Sequence, residues 1–150
     1  MEKHMKIRPA SKADIPQLAG LMEQLGYPTT TEEMESRYTS IEEDSHYHTL
    51  VAELDGKVTG MAGLCKGLFY EYDGFYVRIV AFVVDSYYRR RGIGEKLLLG
   101  TERWATEQGA IAIGLNSGNR SERLAAHRFY AQMGYEQKST GFSKALFHNN

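Results

Sequence analysis

One hundred and fifty residues, 42% of them hydrophobic, are enough for one ordinary domain with a real core, so a single domain over 1–150 is expected. A formal net charge of -1 argues against a general nucleic-acid binder, which would carry a large basic excess on one face. The single cysteine, Cys65, excludes an internal disulfide framework and a multi-cysteine zinc site; with no signal-peptide core and no run near the ~18 apolar residues of a spanning helix, a cytoplasmic protein without a membrane partner or a metal is expected.

The chain opens with a short strand, "MKIRPA". Ser11 and Asp14 then resemble a capping box, and Ile15, Leu18, Leu21, Met22 and Leu25 recur at helical spacing, so a helix starts near Lys12 and ends before Gly26 and Pro28. Thr30 with Glu33 offers a second box, ahead of a narrow stripe of Met34, Tyr38 and Ile41 on a more polar helix. Asp55-Gly56 joins "HTLVAEL" to "KVTGMAGLCKG", a hairpin from about residue 47 to 66. The strand "FYVRIVAFVV" follows, then the segment "SYYRRRGIG" and a helix with Ile93, Leu97, Leu98, Thr101, Trp104 and Ala105 on one face, stopped at Gly109. "AIAIGL" reads as a buried strand, and "SERLAAHRFYAQMG" as a helix with a Ser121 cap and a Gly134 stop. "YEQKSTGFSKALF" reads as two short strands around Gly141. The order is βααβββαβαββ, an α+β mixture with a mainly antiparallel sheet flanked by helices.

The segment between the strand and the helix carries Arg89, Arg90 and Arg91 followed by Gly92, Ile93 and Gly94. A helix start presents unpaired N–H groups and about half a positive charge, and glycines let a ligand reach the backbone. Amides from Arg90 to Gly94, with arginines adding charge-assisted bonds, suit a pyrophosphate. Leu97 stands where a dinucleotide fingerprint needs its third glycine, and no Lys-Ser/Thr pair follows as in a P-loop.

Arg89 to Gly94 also fits the pattern [QR]xxGx[GA], and "FVVDSYYRRRGIGEKLL" and "RLAAHRFYAQMGYE" stand in the right order, so the chain resembles the GCN5-related N-acetyltransferases from about residue 6 to 147. The resemblance implies a splayed sheet, in which the strand ending at Val84 parts from the strand ending near Leu115. It implies acetyl-CoA as acetyl donor, with its pyrophosphate on Arg89, Arg90, Arg91, Gly92, Ile93 and Gly94. Backbone groups of Phe82, Val83 and Val84 would pair with the pantetheine arm as another strand does, and an amide near Val84 would polarise the thioester carbonyl. Tyr130 is implied as the catalytic residue that gives a proton to the departing thiolate.

Two departures from the family pattern stand out. The asparagine expected seven residues before the tyrosine is Arg123, which leaves Asn116, Ser117 and Asn119 as substitutes for its contact with the donor. The strand "RIVAFVV" lacks the carboxylate that often takes the amine proton; Glu53, Glu71, Asp73 and Asp85 stand elsewhere, and water is the remaining base. His127, three residues before Tyr130, faces the same side of its helix. Cys65 has no histidine beside it in sequence and reads as inert. The expected reaction is acetyl transfer to a primary amine of a small molecule, by direct attack in a ternary complex, with a non-catalytic acyl-CoA-binding or sensing domain as the alternative. Acidic and aromatic residues in "GLFYEYDGFY" favour a cationic acceptor, and the apolar excess there and in "TGFSKALF" points to a homodimer.

Overall fold

Asp55 and Gly56 take φ of 51° and 83°, the two left-handed positions of a type I′ turn. They join β2 (Tyr47–Leu54) to β3 (Lys57–Leu68) as the sequence predicts. This computed structural model describes residues 5–117 and 124–147, in two compact units divided after Leu115. In the first unit β1 (Met5–Pro9), β2, β3, β4 (Phe75–Val84) and β5 (Ala112–Leu115) lie in that spatial order, giving a mixed α+β fold. The first three pairings are antiparallel and the last, β4 with β5, is parallel.

Two helices cover one face. A 3-10 turn (Lys12–Asp14) precedes α1 (Ile15–Leu25), and α2 (Thr31–Glu43) follows. The Thr30 and Glu33 box is complete, each side chain bonding the other's backbone N–H at 3.0 Å. Asp14 closes the Ser11 box by accepting from the Ser11 N–H at 2.8 Å, and Arg8 holds both of its carboxylate oxygens at 2.9 Å. Ile15, Leu18 and Leu21 pack with Met34 and Tyr38 over Val51, Met61 and Val83 of the sheet. On the other face α3 (Ile93–Gln108) buries Ile93, Leu97, Leu98, Thr101 and Ala105, the stripe read from its spacing. No helix among the described residues is long and apolar enough to cross a membrane.

The second unit contains α4 (Leu124–Gln132), with Gly134 at φ 93° behind it. The two strands expected around Gly141 do not form: residues 135–147 carry no strand, and Phe142 and Leu146 are more than nine-tenths exposed. The segment lacks the strict alternation that would give a strand one buried face. The sheet therefore has five strands among the described residues, and the last two of the expected order are corrected.

Candidate functional site

The loop from Asp85 to Gly92 is held at both ends and exposed in the middle. Asp85 donates its N–H to the Thr59 carbonyl (2.8 Å), accepts from Tyr88 N–H at its own carbonyl (2.9 Å), and accepts from Tyr87 N–H at its carboxylate (3.0 Å). At the other end Ile93 is buried where β3 has Gly60; a Cβ there would lie 3.2 Å from the Val83 carbonyl oxygen and 3.6 Å from Ile93. Between them Arg90 takes φ 67° and Gly92 φ 76°, so two left-handed residues turn the backbone sharply. No side chain caps α3, and a Cβ on Gly92 would meet nothing within 4 Å. Arg89, Arg90 and Arg91 are exposed, and Arg91 lies over the Tyr88 ring at 5.4 Å. A turn of amides at an uncapped helix start, with three exposed arginines in the same loop, is a geometry that suits an anion.

A second feature adjoins the first. The β4–β5 ladder runs from Tyr76↔Ala112 to Ile79↔Leu115 and stops, while β4 continues to Val84. At that point Val80 is an extra residue, since Leu64 pairs with Ile79 and Gly63 with Ala81. Such a bulge bends and twists its strand. Val77 and Ile79 are thus buried on the α3 face, while Val83 is buried and Ala81 partly buried on the α1 face. The edge of β4 that contains Phe82, Val83 and Val84 lies beyond the ladder and leads into the arginine loop, as the expected splay requires.

In the second unit Tyr130 is half-buried on α4, with Phe129 at 5.3 Å and Tyr135 at 6.1 Å in edge contacts, and its carbonyl accepts from Tyr135 N–H at 2.9 Å. His127 is half-buried one turn earlier. Asn116 is exposed, and the Ser117 hydroxyl is buried with no hydrogen-bond partner among the described residues. Asn119, Ser121 and Arg123 lie outside the described residues.

The model of the acetyltransferase (GNAT) family matches residues 17–135, from α1 through α4. The chain belongs to the GNAT family of acetyltransferases. An aminoalkylphosphonate N-acetyltransferase of Salmonella typhimurium (strain LT2) is 33% identical over 103 residues, 69% of this chain. That match spans 66% of the relative's own length, just under two thirds. Among solved structures, a GNAT family acetyltransferase from Staphylococcus aureus subsp. aureus USA300_TCH1516 is 34% identical, with a TM-score of 0.83 over 95% of this chain and 98% of that one. The aminoglycoside N-acetyltransferase AAC(6')-Iy, solved in complex with CoA, shares the fold at 21% identity and a TM-score of 0.82, over 96% of each chain.

Family membership makes acetyl-CoA the acetyl donor of this GNAT chain, and its residues fit that molecule in two places. The open backbone cradle at Arg90 and Gly92 suits the pyrophosphate, and the β4 edge past Ile79 suits an arm that hydrogen-bonds as a strand.

The carboxylates considered as bases have other partners or lie in the open. Glu53 accepts from Arg8 at 2.7 Å, within a cluster where Arg8 also holds Asp14 bidentately at 2.9 Å. That guanidinium keeps the Asp14 carboxyl below its usual range against the opposing pull of burial. Asp85 is engaged in the loop, and Glu71 and Asp73 are exposed. Cys65 donates to the Lys66 carbonyl at 3.5 Å and is half-buried. At the other end of the sheet a cavity of about 110 Å³ lies among Pro9, Ala10, Tyr38 and Thr49, on the β1–β2 side.

Two groups whose partners only the fold supplies escape a sequence reading. Gln24 of α1 reaches the arginine loop through Asp85 and Ser86, and His48 stacks on Trp104 at 4.6 Å with its Nε2 buried and without a partner among the described residues. Nothing in the pattern around Gln24 distinguishes it from a solvated helix position. For His48 the signal is present: it falls in phase with Leu50 and Ala52 on the α3 face of β2.

Proposed function

We propose that this GNAT protein moves the acetyl group of acetyl-CoA to a primary amine of a small molecule, by direct attack in a ternary complex, with residues 1–150 acting as one acetyltransferase domain. The observation that carries the reading is the end of the β4–β5 ladder at Ile79, with β4 running on into an uncapped, left-handed helix start. When bound, acetyl-CoA supplies an activated thioester; the rest is done by the chain. Amides of Arg89, Arg90, Arg91, Gly92, Ile93 and Gly94, with the guanidinium groups, hold the pyrophosphate. Backbone groups of Phe82, Val83 and Val84 align the pantetheine arm, and an amide near Val84 hydrogen-bonds the carbonyl that becomes negative. Asn116 and Asn119 add side-chain contacts to the arm.

Tyr130 is the catalytic residue. A phenol with a reference pKa of ~10 keeps its proton at neutral pH, so its hydroxyl is a donor toward the leaving sulfur. β4 has no carboxylate, and the amine proton leaves through water.

A small acceptor is supported by the Salmonella relative, named for an aminoalkylphosphonate. The exposed loop with Tyr70, Glu71, Tyr72 and Asp73 favours a cationic one. The protein works in the cytoplasm, as its cysteine usage suggests, and as a homodimer that covers Leu68, Phe142 and Leu146. The test is release of free CoA thiol with a panel of aminoalkylphosphonates, aminoglycosides, polyamines and simple amines. Amine-dependent thiol release is expected. Acetyl-CoA binding with no turnover across the panel would leave a sensing domain instead.

A further inference from the structure

The arginine loop contains a strained residue that nothing in the loop itself explains. Arg90 is not glycine, yet it takes φ 67°, a conformation disfavoured for a residue with a Cβ that persists only where the surroundings enforce it. Its C-terminal side is enforced by Ile93, buried between α3 and Gly60. Its N-terminal side hangs on Asp85 and Ser86, and there the support comes from the opposite face of the sheet. The Gln24 amide oxygen accepts from Ser86 N–H at 2.8 Å, and its amide nitrogen donates to the Asp85 carboxylate at 3.2 Å.

The side chain type is dictated by these partners. A backbone N–H can only donate and a carboxylate can only accept, so one group must offer an acceptor and a donor side by side. A glutamine does this, and the same Asp85 oxygen also receives Tyr87 N–H at 3.0 Å. Gln24 itself stands on firm ground, because its neighbours Met22 and Leu25 pack on the core cluster that includes Val83 near the end of β4.

We propose that Gln24 is a positioning residue for the acetyl donor: by fixing Asp85 and Ser86 it holds the loop to Gly92 in its anion-binding conformation before the ligand arrives. This rests on the reading of Arg89–Gly94 as the pyrophosphate site. Without the clamp Arg90 relaxes out of its left-handed conformation, and the ligand must then reorder the loop as it binds, which lowers affinity without touching the chemistry.

The test uses full-length Gln24→Met and Gln24→Glu, with acetyl-CoA binding by calorimetry, steady-state kinetics, melting temperature and amide hydrogen exchange. Gln24→Met removes both bonds from an exposed position, where solvent offsets much of their worth, and the affinity should fall roughly 3- to 10-fold. KM for acetyl-CoA should rise by the same factor with kcat within about 2-fold, and exchange at Ser86 and Tyr87 should quicken. Gln24→Glu keeps the acceptor but sets a carboxylate against Asp85, and should bind more weakly still. Adding Asp85→Asn to it restores a donor opposite an acceptor at unchanged net charge, and should recover most of the loss. Unchanged affinity and exchange in Gln24→Met, or no recovery in the double variant, would overturn the proposal. Gly92→Asp separates the two levels: if it weakens binding while Gln24→Met does not, only the role of Gln24 fails; if neither does, the pyrophosphate site itself is misassigned.

Discussion

The two ends of β4 are built on different principles. At the Val84 end main-chain groups lead, with exposed arginines beside them: a strand edge beyond the β5 ladder, two left-handed turns and an uncapped helix. At the Phe75 end they are side chains. Phe69 meets Tyr72 at 5.4 Å and Tyr76 at 5.1 Å, Lys66 lies 5.6 Å from the Phe75 ring, and Leu68 and Tyr70 project into solvent. A donor shared by a whole family can be recognised by geometry that every backbone possesses. An acceptor that varies between members calls for recognition by what varies, and the proposed place for it is the side chains of this exposed loop.

The sharpest way to break this contrast is Gly92→Asp. Aspartate tolerates the left-handed region and can cap a helix, so the fold should persist, while the new carboxylate takes the place of the anion. At about 4 Å two unit charges repel by ~4 kcal/mol in a partly screened site, so acetyl-CoA affinity should drop by roughly 100-fold or more in calorimetry, with the melting temperature little changed.

Tyr130→Phe sharpens the contrast by belonging to neither recognition surface. Its ring and packing are kept, so acetyl-CoA affinity and stability should stay near wild type while kcat falls. General acids contribute ~100- to 10,000-fold, and a thiolate is already a fair leaving group, so the lower end is expected. Wild-type turnover in an assay limited by acetyl transfer would return Tyr130 to a packing role.

At the other end, Tyr70→Ala should raise KM for the amine by about 3- to 10-fold and leave acetyl-CoA binding unchanged, as expected when one exposed aromatic contact to a cation is lost. A change in acetyl-CoA affinity instead would merge the two ends. The smallest effect concerns His48 in the same aromatic region. Burial, with Lys66 adding repulsion, lowers its pKa below the usual ~6.5. The unfolded chain therefore takes up this proton first, so the contribution is complete above about pH 6.5 and is lost as pH falls toward the folded value. His48→Phe, which keeps the stack on Trp104, should flatten the fall of melting temperature between pH 7 and pH 5 by a degree or two.

What could be read from the sequence follows the same division. Asp55-Gly56, the Thr30 and Glu33 box and the bounds of β4 at Phe75 and Val84 are local chemistry, and each formed as its residues dictate. The bulge at Val80 is hidden because "IVAFVV", from Ile79 to Val84, is apolar throughout, and an unbroken run conceals which face each residue takes. Gln24 is hidden for a different reason: its partners stand 61 and 62 residues away, and a polar residue on a helix looks solvated until the fold brings them together. The two strands expected around Gly141 do not form, because "YEQKSTGFSKALF" lacks the alternation that would give a strand one buried face, and Phe142 and Leu146 stay in solvent.

Gly60 has a consequence for ligand length. Its hydrogen stands where a methyl would press on both the Val83 carbonyl at 3.2 Å and the Leu97 side chain at 3.4 Å, one on the strand and one on the helix. The missing carbon therefore sets the gap between the cradle and the strand edge, as a shim sets the gap between two machine parts. On the proposed reading, those two surfaces grip one molecule at two points along its length. A side chain at position 60 would move the points apart by a few tenths of an ångström, and the donor, whose own bond lengths are fixed, could then satisfy one grip only by straining against the other.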